Sequence, residues 1–329
     1  MTGLSFGAGI WAFGRIVDRY ATDGYGPDRG TSEMLLLASQ VDGLAYLDIN
    51  HPFVESDTTA ESVAVQLADL GLKARAVTPH IYTREFARGA FTHPDPRVRA
   101  LAKDRVRAAV EVARVLDAGY VKFWPGQDGF DMPAQVDHRR MWELTVEAIG
   151  ELASESPDVR FAIEYKPKEP RVSITLANAP KTLLAIAEAG VDNVGVVLDF
   201  GHSLMAGESP AEALHLVHRH GRLVSAELND NWRGWDDDLP VASVHLFETV
   251  EFLLALREIG WSEPLLLDQF PFREDPVAAV AHSIRMIRWF EALIDGLDVK
   301  ELRDAQEAQD ALAVQRILWS AVAGSGLRP

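Results

Sequence analysis

Four acidic residues stand at the ends of four successive apolar runs. They are Glu164 in "RFAIEY", Asp199 in "VGVVLDF", Glu227 in "LVSAEL" and Asp268 in "PLLLDQF". Any one of them alone is best read as a cap for the next helix or the partner of an arginine. Four brought to one place are a different matter. At an effective dielectric of 20, two carboxylates about 5 Å apart repel by roughly 3 kcal/mol. Such a group must be largely protonated or share a cation, and hard oxygen donors suit a divalent one. His202 follows Asp199 by three residues in "LDFGHS", and "NWRGWDDDLP" adds Asp236 and Asp238, which alternate with Asp237 so that two can turn inward. A bare acidic triplet is ordinarily a solvated loop. Beside the strand-end acids, however, Asp199, His202, Asp236 and Asp238 could together hold a second cation, with Asp199 bridging the two.

The stretch "FAIEYKPKEPR" places Lys166 two residues after Glu164. In a strand, residues i and i+2 share a side, so a carboxylate and an ammonium face one space. Either they pair with each other, or the ammonium serves charge that develops in a reaction there.

The elements that would carry these groups recur. Apolar runs at 4–10, 44–50, 73–78, 120–124, 160–165, 194–200, 223–228 and 264–270 alternate with amphipathic stretches such as "DPRVRALAKDRVRAAVEVARVLDAG" and "SVHLFETVEFLLALREIG", both ending in glycine as helices commonly do. Strand alternating with helix in this way predicts an α/β fold, a (β/α)₈ TIM barrel. A doubly wound sheet would carry a glycine-rich phosphate loop after its first strand, and "GAGIWAFG" has Trp and Phe where backbone must approach phosphate. Residues 298–323 read as a helical tail, which divides the chain into a catalytic barrel over 1–297 and a C-terminal extension over 298–329.

The 329 residues carry 32 basic and 49 acidic side chains, a formal net charge of -17. That balance disfavours nucleic acid and anionic membrane surfaces as partners. With no cysteine, disulfides, thiolate metal sites and a Cys nucleophile are excluded. Carboxylate, imidazole, carbonyl and water ligands point to magnesium, manganese or cobalt. "MTGLSFGAGIW" lacks the charged and apolar regions of a secretory signal, and no apolar stretch approaches the ~18 residues of a membrane span. The expectation is a soluble, cytoplasmic protein.

Several segments resemble xylose isomerase. "IEYKPKEPR" is similar to that family's "IEPKPNEPR", and "GHSLMAG" to its "GHEQMAG"; "AELND" with "WDDDL" is similar to its "DLN" and "DQDL" pair, and "HIYTREFARGAFTHPDPRVR" and "KFWPGQDG" also have counterparts. The resemblance covers roughly residues 4 to 275 and implies a divalent-metal aldose–ketose isomerase. Carried over, it implies a first metal on Glu164, Asp199, Glu227 and Asp268, and a second on Asp199, His202, Asp236 and Asp238. It places Lys166 at the sugar oxygen of the carbonyl carbon, Trp11 and Trp124 as aromatic walls, and His51 in the ring-opening position. His80 is grouped with the substrate contacts. Two metals per subunit, a small sugar substrate and a homo-oligomer, dimer or tetramer, are implied with it. The sequence also departs from the family. Val54 stands where an Asp steadies the ring-opening histidine, leaving Glu55 or Asp57 for His51. Asp199 and Glu227 exchange Asp and Glu relative to the pattern, "DRYATDGYG" at 18–26 has no counterpart, and the tail is shorter.

The leading expectation is therefore a metal-dependent sugar isomerase working by a 1,2-hydride shift. Rivals on the same barrel are a ketose 3-epimerase, an L-rhamnose isomerase-like enzyme, and the catalytic subunit of a C-glycoside deglycosidase. The last would want a small partner subunit and a base such as His51 or His80. A barrel endonuclease conflicts with the acidic surface, and a non-catalytic sugar-binding barrel is the non-enzyme reading.

Overall fold

The computed structural model describes residues 3–324. Eight parallel strands close into a barrel, here β1 (Phe6–Gly9), β2 (Leu44–His51), β3 (Lys73–Pro79), β4 (Tyr120–Phe123), β5 (Phe161–Glu164), β6 (Val194–Asp199), β7 (Leu223–Leu228) and β8 (Leu265–Leu267). Pairing of Phe6 with Leu265 and Ala8 with Leu267 closes the ring. The barrel reading of the sequence holds and the doubly wound sheet is ruled out. β1, β4, β5, β6 and β8 are shorter than the apolar runs that announced them, and Asp268 lies one residue beyond β8.

The helices between strands form because their apolar positions recur on one face and their ends are capped. The longest, Pro96–Leu116, shows both devices. Asp95 caps it by accepting from the Arg97 amide, Pro96 fills the first turn where no N–H partner is needed, and Ala102, Val106, Ala109, Val110 and Ala113 are buried. The chain leaves it through Asp117 in the left-handed region.

Inside the barrel, Ala76, Tyr120, Ala162, Val197 and Val224 make a packed plug. Above that layer stand buried charged residues, Lys122, Glu164, Asp199 and Glu227. The parallel register sets Asp199 level with Glu227, while Glu164 is level with Val197 and Lys122 with Ala162. Residues 129–130, 168–169 and 172–174 form a small three-stranded sheet next to the site. Its last two strands arise from the charged "KPKEPRV" stretch, which folds back on itself after β5.

Beyond the barrel, helices Val299–Glu307 and Ala311–Gly324 form the tail, and Trp319 packs edge-on against Phe247 at 4.9 Å. The end of the expected extension, 325–329, lies outside the described residues. Among the described residues, no helix is long and apolar enough to cross a membrane.

Candidate metal centre

Glu164, Asp199, Glu227 and Asp268 converge at the C-terminal ends of β5–β8. Each offers an oxygen within 4.8 Å of the others' oxygens, and all four are buried. A second grouping of Glu164, His202 and Asp268 shares the same span. Burial and mutual repulsion push the carboxyls of Asp199, Glu227 and Asp268 up. Desolvation is the largest cause throughout. Asp268 reaches about 7 with Glu164 as its chief repeller, Asp199 about 6, and Glu227 stands well above the usual range. Buried carboxyls that resist ionisation beside one another are what a divalent cation relieves. The donor set therefore fits such an ion.

Asp199 also does what the bland reading of a strand-end acid asks. Its Oδ1 accepts from the His202 amide at 2.7 Å and caps helix Phe200–Met205, while Oδ2 accepts from Asn229 Nδ2 at 3.0 Å. The approach of the segment after β7 requires glycine at 201. A Cβ there would stand 2.3 Å from Asn229 Oδ1, and Asn231 Nδ2 already donates to the Gly201 carbonyl.

The second set is arranged differently from the first. His202 Nε2 lies 2.9 Å from Asp236 Oδ2, and Lys166 Nζ lies 2.7 Å from the same oxygen. Burial works against the Asp236 charge, but Lys166 and His202 overcome it and hold its carboxyl below the usual range. Asp199 and Asp236 correspondingly overcome burial at His202 and raise it to about 10. Asp238, pushed well up by burial and by Asp236, accepts from Asn229 at 3.3 Å. Two buried atoms in this set, His202 Nδ1 and Asp236 Oδ1, have no hydrogen-bond partner.

Lys166 and Glu164 line one cavity, although β5 ends at Glu164, and they do not pair with each other. Lys166 is held by Asp236 and Glu169 and lies over the Trp124 ring at 5.2 Å. Glu164 is paired with a residue the sequence reading passed over. Lys122 Nζ, 1% exposed, lies 2.9 Å from Glu164, 3.2 Å from Glu227 and 3.0 Å from Asp48. Burial disfavours its charge, yet Asp48, Glu164 and Glu227 raise it well above the ordinary lysine value. Asp48 in turn accepts from Thr78 at 2.8 Å. A signal for both was present, since a Lys in the apolar run "YVKFW" has the parity of Trp124, and Asp48 in "LAYLDIN" is two residues from Asn50.

The cavity above these groups measures about 550 Å³ and is lined by Trp11, Trp124, Tyr82, His80, Lys166 and Phe270 among others. Trp11 Nε1 donates to Asp268 at 2.6 Å, and Trp124 packs edge-on with Tyr82 at 4.6 Å. His51, of opposite parity to Asn50, packs edge-on against Phe53, and Glu55 accepts from the Thr31 amide at the start of helix Thr31–Ala38. His80 is pushed down to about 4, by burial first and then by Arg105 and His51.

This is the geometry of a barrel with an oxygen-rich ligand ring at the strand ends. The chain belongs to the family described as xylose isomerase-like TIM barrel, which it matches over residues 39–290. It is 30% identical over 266 residues to the xylose isomerase of Thermus thermophilus, covering 76% of this chain and 69% of that protein. Among solved structures it is similar to L-ribulose 3-epimerase, with a TM-score of 0.67 and 16% identity over 94% of this chain and 99% of that one. It is also similar to 3-keto-D-glucoside 4-epimerase from E. coli, with a TM-score of 0.68 and 14% identity over 87% and 99%. At these identities the structural neighbours show the fold alone.

Proposed function

We propose that this chain interconverts an aldose and a ketose with the help of a divalent cation held by Glu164, Asp199, Glu227 and Asp268. The observation that carries the reading is the convergence of those four buried carboxylates beneath a cavity that Trp11, Trp124 and Lys166 also line. A bound cation would supply Lewis acidity toward the sugar's hydroxyl and carbonyl oxygens. The chain's own groups do the rest. Asp236 and Glu169 hold the Lys166 ammonium charged and in place, so its N–H groups meet negative charge as it builds on the carbonyl oxygen. Trp11, tied to Asp268, and Trp124 keep water from the reacting carbons. In that dry space a hydride passes between C1 and C2 without a free carbanion. Asp199, His202, Asp236 and Asp238 are the groups that would hold a second ion. The similarity to a xylose isomerase supports the substrate class.

A ketose 3-epimerase is the second reading. It is favoured by one feature, that the first set converges as a ligand ring while Asp236 is already engaged by Lys166 and His202. A screen of aldoses and ketoses with manganese-loaded protein in D₂O, read by NMR of the products, separates the two. Aldose–ketose conversion without solvent deuterium at C1 of the ketose or C2 of the aldose supports the isomerase with hydride transfer, and inversion with deuterium at C3 supports the epimerase. No turnover of any sugar by metal-filled protein would leave a binding barrel.

A further inference from the structure

Lys122 enters the site from below. Its backbone sits level with Ala162, two residues deeper in the barrel than Glu164. The ammonium reaches two of the four ring carboxylates, Glu164 and Glu227, and ends over the Trp11 ring at 4.8 Å. Asp48 is the third acid on the ammonium and itself accepts from Thr78. The ring therefore contains a permanent cation. Any divalent ion on the same carboxylates sits about one carboxylate away from it, where like charges oppose each other strongly even at an effective dielectric of 20.

We propose that Lys122 is a positioning residue and resident counter-cation of the ring. It anchors Glu164 and Glu227 from beneath while weakening the ring's hold on a divalent ion, so that the ion exchanges rather than locks in. Asp48 sets how much of that opposition is felt, because its carboxylate lies 3.0 Å from the ammonium and offsets its charge. The proposal rests on the reading of the ring as a divalent-cation site.

Three variants give it a signature of opposite signs. Lys122→Met removes the opposing charge and is expected to bind Mn²⁺ at least about tenfold more tightly. Asp48→Asn leaves the ammonium unscreened and is expected to bind it severalfold more weakly. Lys122→Met combined with Asp48→Asn removes the buried pair together and should still bind more tightly than wild type, since the ammonium lies nearer the ring than Asp48 does. The measurement is calorimetric titration of chelator-treated protein with Mn²⁺, with circular dichroism as the check on folding. A residue that only supports the barrel predicts weaker or unchanged binding in every variant. Lys122→Met or the double variant binding no tighter than wild type would overturn the proposal. So would a double variant that loses the fold, because a tuning cation is dispensable to the barrel. Wild type that binds no Mn²⁺ removes the ring reading along with the proposal, whereas wild-type binding unaltered in the variants removes the proposal alone.

Discussion

Lys166 Nζ stands 2.7 Å from Asp236 Oδ2, so the lysine two residues after Glu164 answers a carboxylate on the loop after β7 and leaves Glu164 to Lys122. Each ammonium in the site thus has its own acids, and the two lysines are separable by mutation.

The first prediction uses that separation. Lys166→Met should keep the barrel and the ring's metal content but lower turnover by about 10² to 10³, the usual cost of losing one group that stabilises oxyanion charge. Glu164→Gln should do the reverse and weaken the metal directly. Metal analysis beside turnover for both variants is the check. A Lys166→Met protein that turns over sugar normally ends the lysine's catalytic role.

The ring should make the protein's stability depend on divalent ions. Four buried carboxylates repel one another without one, and a ligand at ~100 times its dissociation constant adds about 2.7 kcal/mol. Melting in millimolar manganese should exceed melting in EDTA by several degrees. Equal midpoints together with no metal by elemental analysis would remove the ring from consideration as a metal site.

Metal uptake should also release protons. Asp268 at about 7 and Asp199 at about 6 are both substantially protonated at pH 6, and they must ionise to act as ligands. Titration with manganese at pH 6 in buffers of different ionisation enthalpy should show release of about one proton or more, and the release should fall as pH rises from 6 to 8. Release that does not change with pH would place the titrating groups elsewhere.

Much of this was legible because it depends on local pattern. Strand runs alternating with capped amphipathic stretches foretold the barrel, and acids at run ends foretold the ring. What escaped depends on pairing across the barrel. That Lys122 meets Asp48, Glu164 and Glu227 follows from the register of strands far apart in sequence. That Lys166 meets Asp236 depends on how the loop after β7 folds over. The stretch after Glu164 read as a strand end, yet it forms a hairpin because Gly129–Phe130 offers a third strand to pair with. The resemblance alone assigns His51 a role, while Asn50 and His80, next to it in the barrel, line the cavity.

His80 gives the last prediction. Burial is the chief cause of its fall from 6.5 to about 4, with Arg105 and His51 adding to it. The folded value lies below the unfolded one, so the unfolded chain binds the extra proton in the interval between them. Stability then rises with pH across that interval. The contribution is fully present above about 6.5 and is lost as pH falls toward 4. A shift of this size amounts to roughly 3 kcal/mol at most. Replacing His80 with Gln, which cannot take up a proton there, should flatten the acid side of the stability profile between pH 6.5 and 4 while leaving its slope above pH 7 unchanged. Urea midpoints measured in EDTA across that range, so that ligand protonation is common to both proteins, are the test. Parallel profiles for wild type and His80→Gln would mean that the acid sensitivity of the fold belongs to other groups.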